Sequence, residues 1–284
     1  MKHICFFFVL LFAHSMYAQF PLTKDLTAKF DLTSKFNKTK YTLEVSLPVS
    51  YDASKKYPVY YILDGYYAAA IAHGAHRTLQ FENLIEDVIV VTISGPENST
   101  SEWLINRWPD YTFSKDTLND VIYAKVFHLP VGSTISGKGD LFFQTLTQQI
   151  FPLIENKYGF NGNRGISGHS LGGYLVADLM FKVPEMFNRF GINSSSQRLH
   201  LNNEIRSKEK NYASTHKEYN AKVFLSFGSL EPKDAIEDLH YFDNQLKSHY
   251  KNIETKFVEF ADETHGSVMP AMLSSCMWYL YKKN

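Results

Sequence analysis

The sequence predicts an α/β fold: a mostly parallel central sheet with helices on both faces, in a single domain. Three observations predict it. Short apolar runs bounded by turn residues recur, as at residues 57–63 and 88–93, and such runs read as strands covered on both faces. Between them lie segments with apolar residues at helical spacing, as at 140–158 and 234–250, and strands alternating with helices build parallel sheets. The 284 residues are 44% hydrophobic, which fills one large core better than two small ones.

Taken in order, residues 19 to about 40 read as an exposed approach rich in Lys and Thr. Residues 41–48 alternate and read as a strand. A polar turn at 51–56 leads into the strand 57–63, which ends at the turn signal Asp64-Gly65. The strand 88–93 follows. In 140–158, Leu141, Phe142, Leu146, Ile150, Leu153 and Ile154 mark one face of a helix. Gly165-Ile166-Ser167-Gly168 reads as a short strand running into a tight turn, and 171–187 as a helix. A strand at 222–228, an amphipathic helix at 234–250, a last strand at 255–260 and a closing helix at 269–281 complete the chain. The stretches 95–138 and 194–222 are long for loops, which in a compact α/β domain points to functional rims or lids.

Composition narrows the partners. Lys plus Arg is 29 and Asp plus Glu is 29, so no excess of charge argues for nucleic acid or an anionic membrane. Aromatic content of 15% suits either core filling or an aromatic cleft. Lys2 and His3 precede an apolar run at 4–13, and small residues lead to Tyr17-Ala18-Gln19. That pattern predicts a secretory signal peptide over residues 1–18, cleaved after Ala18, and an exported domain over 19–284 that is periplasmic or secreted. The apolar run falls short of the roughly 20 residues a bilayer requires, so no stable membrane insertion is expected. Cys5 leaves with the signal peptide, and Cys276 is then alone and expected in the core. A secreted chain without disulfides suits a bacterial periplasm.

The chemistry centres on Gly168-His169-Ser170-Leu171-Gly172-Gly173, between a strand and a helix. This is the context of a nucleophile elbow, the strained turn that presents a serine in the α/β-hydrolase fold. Ser170 is therefore the expected nucleophile, with glycines relieving clashes at the turn and a helix N-terminus favouring negative charge. The order in this fold is serine, acid, histidine. His240 and His249 fall on the expected solvated face of their helix, and His169 sits inside the elbow and is expected to point elsewhere. His265, after the last strand, is the expected base. Glu231 and then Asp234 follow the strand ending at Phe227; Glu231 is preferred as the acid, with Asp234 and a Ser–His pair as alternatives. The expected oxyanion-hole donors are the backbone N–H groups of Leu171 and Tyr66. There is no His-Glu-x-x-His, no surviving Cys pair, no phosphate loop and no dinucleotide fingerprint, so neither a metal nor a cofactor is expected.

These segments resemble a known esterase family, that of the S-formylglutathione hydrolases, the mycolyltransferases and, closest in pattern, the enterobactin-type siderophore esterases. The matching stretches are Tyr61-Ile62-Leu63-Asp64-Gly65, Asn106-Arg107-Trp108-Pro109-Asp110-Tyr111-Thr112, Gly168 to Gly173, and Thr264-His265-Gly266-Ser267-Val268. Ser136-Gly137-Lys138-Gly139-Asp140 and Val183-Pro184-Glu185-Met186-Phe187 are also similar. The resemblance implies a cofactor-free carboxylic ester hydrolase acting on a small-molecule ester, with Ser170, His265 and Glu231 in catalysis and Tyr66 and Leu171 in the oxyanion hole. It places Arg107, Asp110 and Tyr111 at the edge of the cleft for substrate binding; the alternative for Arg107 and Asp110 is a buried ion pair holding a loop. After Phe190 the family's Ser-Pro-Ser run is replaced by Gly191-Ile192-Asn193-Ser194-Ser195-Ser196-Gln197, and there is no basic cluster to grip an anionic iron-catecholate. An acyltransferase using the same triad and a non-catalytic binding protein of this fold are the rival readings.

Overall fold

The structure, a computed structural model, describes residues 26–95, 97–195 and 202–283. The expected signal peptide, residues 1–18, lies outside the described residues. Eight strands form one sheet: β1 (Thr27–Thr33), β2 (Lys40–Ser46), β3 (Tyr57–Ile62), β4 (Ile89–Ser94), β5 (Phe160–His169), β6 (Arg189–Asn193), β7 (Glu218–Gly228) and β8 (Lys251–Phe260). Their order is β1-β2-β4-β3-β5-β6-β7-β8. β2 pairs antiparallel with β1 and β4, and every other pair is parallel. This is the α/β-hydrolase arrangement the sequence predicts.

The helices are α1 (Gly65–Phe81), α2 (Thr100–Asp110), α3 (Thr117–Val126), α4 (Gly139–Thr145), α5 (Phe151–Tyr158), α6 (Leu171–Lys182), α7 (Asn202–Thr215), α8 (Lys233–His249) and α9 (Met269–Tyr281). Side chains alternate across a strand, so one face of the sheet buries Tyr60, Ile62, Val90 and Phe224 against α1 and α9. The other buries Val59, Tyr61, Val91, Val223 and Leu225 beneath the remaining helices. Burial on both faces explains why the central strands read as continuous apolar runs. Cys276 is fully buried on α9, with Tyr60 Oη 3.3 Å from its Sγ, and burial pushes its thiol up to about 12. That makes it a packing residue rather than a thiolate.

Several expectations are corrected. The exposed approach contains β1, whose Ala28, Phe30 and Leu32 alternate with polar residues and pair antiparallel with β2. Residues after the Asp64-Gly65 turn form α1, and the long stretch 95–138 holds α2 and α3. Both of these have cap signals: Ser99 Oγ accepts from Glu102 N, and Asp116 accepts from Leu118 and Asn119 N. Within 194–222 lie α7 and the start of β7. The strand β6 has only five residues, one of them Gly191. A Cβ on Gly191 would sit 2.5 Å from Ser167 Cβ and 2.6 Å from Cys276 Sγ, so close packing rather than strand propensity selects it. The single helix expected at 140–158 is broken by a π-helical turn at Leu146–Ile150. Pro152, which lacks an N–H and crowds the turn before it, accounts for the widening.

Buried titratable groups set an acid limit on this packing. His76 of α1 is fully buried, with Nδ1 2.8 Å from Ser46 Oγ. Burial, with Arg77 and His73 adding, lowers its pKa to about 3. Its folded pKa lies below the unfolded value near 6.5, so the unfolded chain takes up the proton first. Stability is therefore lost as pH falls from about 6.5 towards 3, at about 1.4 kcal/mol per unit. His76→Gln keeps a hydrogen-bonding group but does not titrate. Its urea midpoint is expected below wild type at pH 8, with the deficit shrinking by pH 4.5; a deficit constant with pH would contradict this.

Candidate active site

Strand β5 ends at His169 and α6 begins at Leu171. Ser170 lies between them at φ 59° and ψ −120°, a backbone conformation that L-residues rarely adopt. Its N–H donates to Asn193 O at 2.9 Å. A Cβ on Gly168 would meet Gly172 C at 2.3 Å, and one on Gly173 would meet Asn193 O at 2.9 Å. The turn is thus possible only with glycine at those places, which is the physical content of the sequence motif. Asn193 also donates from Nδ2 to Gly168 O at 3.3 Å and accepts from Ser226 Oγ at 2.9 Å. It latches the elbow, and no sequence signal marked it.

The strand β7 ends at Gly228, and the turn that follows brings Glu231 inward. The Glu231 side chain is buried, yet its carboxylate is met by three donors. Oε1 accepts from Ser194 Oγ at 2.6 Å and Gly228 N at 2.9 Å. Oε2 lies 2.6 Å from His265 Nδ1, so the imidazole donates from Nδ1 and leaves Nε2 as the basic nitrogen. Asp234, the alternative acid, is exposed in the first turn of α8. Ser194, at φ 44°, stands where the resembled family carries its Ser-Pro-Ser run; its contribution to the Glu231 carboxylate was not legible.

His169 corrects an expectation. Its ring does not point away from the site but packs against His265, with centroids 4.4 Å apart at 41°. Tyr67 Oη is 3.3 Å from His169 Nδ1. Burial above all, then the proximity of His265 and Arg107, holds His169 well below the ordinary imidazole pKa. A neutral ring therefore braces His265 without setting a second positive charge beside it. His249 is also less solvated than expected, with Nδ1 2.7 Å from Glu209 Oε1, whereas His240 is exposed and stacks on Phe257.

Arg107 is buried and forms a bidentate pair, but with Asp64 and not Asp110. Nε and Nη2 donate to Asp64 Oδ1 and Oδ2 at 2.8 and 2.7 Å, and Nη2 also reaches His169 O at 3.2 Å. Trp103 Nε1 donates to Asp64 Oδ1 at 3.0 Å. Asp64 itself sits at φ 59°, and a Cβ on Gly172 would come within 2.8 Å of its Oδ2. The pair thus ties the turn after β3 to the elbow. Asp110 is buried and accepts from Tyr41 Oη at 2.5 Å and Asn37 Nδ2 at 3.1 Å; burial pushes its carboxyl up to about 7. Tyr111 is buried, and its Oη accepts from Asp64 N at 3.2 Å. Arg107 lines the cavity around Ser170, while Asp110 and Tyr111 do not and instead line a separate small cavity.

Because β3 and β5 are neighbours and Leu63 N donates to Ser167 O at 2.9 Å, α1 and α6 start side by side at the carboxyl edge of the sheet. The N–H groups of Tyr66 and Leu171 lie in those first turns, where helical N–H groups have no intrahelical acceptor. Ser170, Leu171, Ser194, Glu231 and His265 all line one cavity of about 350 Å³. The arrangement places a serine, an imidazole oriented by a carboxylate and the start of α6 around one space. No cluster of His, Cys, Asp or Glu suited to a metal occurs among the described residues.

The family model described as "Putative esterase" matches residues 34–267. The chain belongs to this Esterase family. It is a carboxylic ester hydrolase. The chain is similar to the ferri-bacillibactin esterase BesA of Bacillus subtilis (strain 168), at 26% identity over 257 residues, covering 87% of this chain and 86% of the relative. Among solved structures, the BES protein from Bacillus cereus matches with a TM-score of 0.78 at 24% identity, covering 92% of this chain and 98% of that one. The siderophore hydrolase EstB from Aspergillus nidulans matches at 0.73 and 19% identity, covering 92% and 97%. Enterobactin hydrolase IroE in complex with DFP matches at 0.67 and 19% identity, covering 89% and 93%. These structures share the fold described above.

Proposed function

We propose that this Esterase-family protein is a serine esterase that works through an acyl-enzyme on Ser170. His265 Nε2 takes the proton from Ser170 Oγ as the oxygen attacks the ester carbonyl. Glu231 holds the Nδ1–H tautomer and stabilises the imidazolium that forms. The N–H groups of Tyr66 and Leu171 receive the tetrahedral oxyanion. His265 returns the proton to the leaving alcohol, and a water activated by the same imidazole then releases the acid. The observation that carries this reading is the 2.6 Å contact between Glu231 and His265 beside a serine held at positive φ. The His265 side chain is 48% exposed, which gives water access to the acyl-enzyme and favours hydrolysis over transfer to another alcohol. In this reading Arg107 builds the cleft wall, and Asp110 and Tyr111 support it from behind without touching substrate.

A small-molecule ester is the substrate, and the similarity to a ferri-bacillibactin esterase and to siderophore hydrolases supports a siderophore-type ester as a candidate. The N-terminal Lys2, the apolar run 4–13 and Tyr17-Ala18-Gln19 support export to the periplasm or beyond after loss of residues 1–18. No helix among the described residues is long and apolar enough to cross a membrane.

The reading is tested with p-nitrophenyl acetate and butyrate. An initial burst of p-nitrophenol near one equivalent, followed by slower turnover, is expected if deacylation is the slower step. Glu231→Gln is expected to lower kcat by roughly 10³- to 10⁴-fold. A loss below about tenfold would contradict the role given to Glu231 and favour a Ser–His pair.

A further inference from the structure

The space around Ser170 has two lobes. One, of about 350 Å³, is walled by Tyr123, Val126, Leu171, Phe227 and Ala235. The other, of about 530 Å³, is walled by Tyr67, Ile71, Trp103, Leu104 and Met269. Arg107, Phe127, Ser170 and His265 line both. An ester bond placed at Ser170 therefore opens onto two apolar chambers, each within the size range of small-molecule pockets.

The charges at this place are already committed. Among the described residues lining the two lobes, the charged groups other than imidazoles are Arg107 and Glu231. The Arg107 fork is engaged by Asp64, and the Glu231 carboxylate by His265, Ser194 and Gly228. Beside Arg107, the small third cavity adds the carboxyl groups of Asp64, Glu97 and Asp110. Burial, with Asp64 and Asp110 nearby, pushes the Glu97 carboxyl up to about 7, as expected where carboxylates outnumber cations. An anionic group in either lobe would give up part of its water and meet there only a guanidinium already paired with Asp64, which is costly.

We propose that the site selects neutral esters with an apolar group on each side of the scissile bond, one group per lobe, and rejects esters with an anionic group on either side. This rests on the serine-esterase reading and deepens it. It removes multiply charged ferric catecholates from the siderophore-type candidates and favours an ester whose acyl and alcohol groups are both uncharged.

The test uses matched pairs. On the acyl side, p-nitrophenyl hexanoate is compared with mono-p-nitrophenyl adipate, in which a carboxylate replaces the terminal methyl. On the alcohol side, benzyl butyrate is compared with the butyrate ester of 4-(hydroxymethyl)benzoate. We expect kcat/KM to favour the neutral member at least about 100-fold in both pairs, and to rise about fourfold per methylene from acetate to hexanoate. Phe127→Arg, which adds a cation to the wall common to both lobes, is expected to narrow the charge ratios at least about tenfold. Anionic and neutral partners hydrolysed within about threefold of each other would overturn the proposal and leave the esterase reading intact. Ratios unmoved by Phe127→Arg would overturn its electrostatic basis. Hydrolysis of none of the four esters by folded protein would instead overturn the esterase reading on which it rests.

Discussion

Ser170→Ala is expected to lower kcat on p-nitrophenyl butyrate by about 10⁴-fold or more, with the fold intact. In the proposed mechanism, removing the Oγ deletes the only covalent bond to the acyl group, and neither His265 nor the helix starts can replace it. The elbow should survive because its geometry rests on groups that the substitution leaves alone: the Ser170 N–H to Asn193 O bond and the glycines at 168, 172 and 173. Alanine at φ 59° meets much the same backbone strain as serine. Circular dichroism and the thermal midpoint should therefore match wild type within about 2 °C while turnover falls to background. A variant that retains a tenth of the activity would place the chemistry elsewhere.

The second large effect is on stability. Arg107→Ala is expected to destabilise the protein by about 3–5 kcal/mol. The mutation strands the Asp64 carboxylate, whose side chain is 1% exposed, leaving it the neutral donors Trp103 Nε1 and the Tyr67 hydroxyl but no cation. It also removes the donor to His169 O, and so loosens the strand end that precedes Ser170. For a chain of this size that loss corresponds to roughly 10 °C in Tm. Adding Asp64→Asn should recover part of it, because the uncompensated charge disappears. Arg107→Lys should recover less, since a point charge cannot reproduce the two parallel bonds. An Arg107→Ala protein with unchanged Tm would show that the pair contributes nothing net.

Much of this was legible in the sequence because the relevant signals are local. The β3 and β4 strands read as unbroken apolar runs since both faces are covered, and α9 was read with its observed limits, Met269–Tyr281. Gly168, Gly172 and Gly173 betray the elbow because glycine alone fits there. What stayed hidden is set by contacts distant in sequence. Arg107 and Asp110 are three residues apart and looked like partners, yet the fold brings Asp64 to Arg107 and Tyr41 to Asp110. His169 was expected to face away, but its ring is held against His265 by the packing of Tyr67 and by the bond from Arg107 to its carbonyl. Ser194 and Asn193 became visible only when β6, five residues interrupted by glycine, was found between β5 and β7. The helices α2 and α3 were missed for a different reason: their caps at Ser99 and Asp116 were present, but their apolar residues are not gathered on one buried face, Leu118, Val121 and Val126 of α3 being exposed.

The most direct test of the central claim is to treat the protein with a fluorophosphonate and map the adduct by mass spectrometry of the digested chain. A serine activated by His265 in the geometry described should give one stoichiometric adduct, on the peptide carrying Gly168-His169-Ser170-Leu171-Gly172-Gly173, lost in Ser170→Ala and slowed in Glu231→Gln. An adduct on another residue, or folded protein that turns over esters without labelling at Ser170, would contradict it.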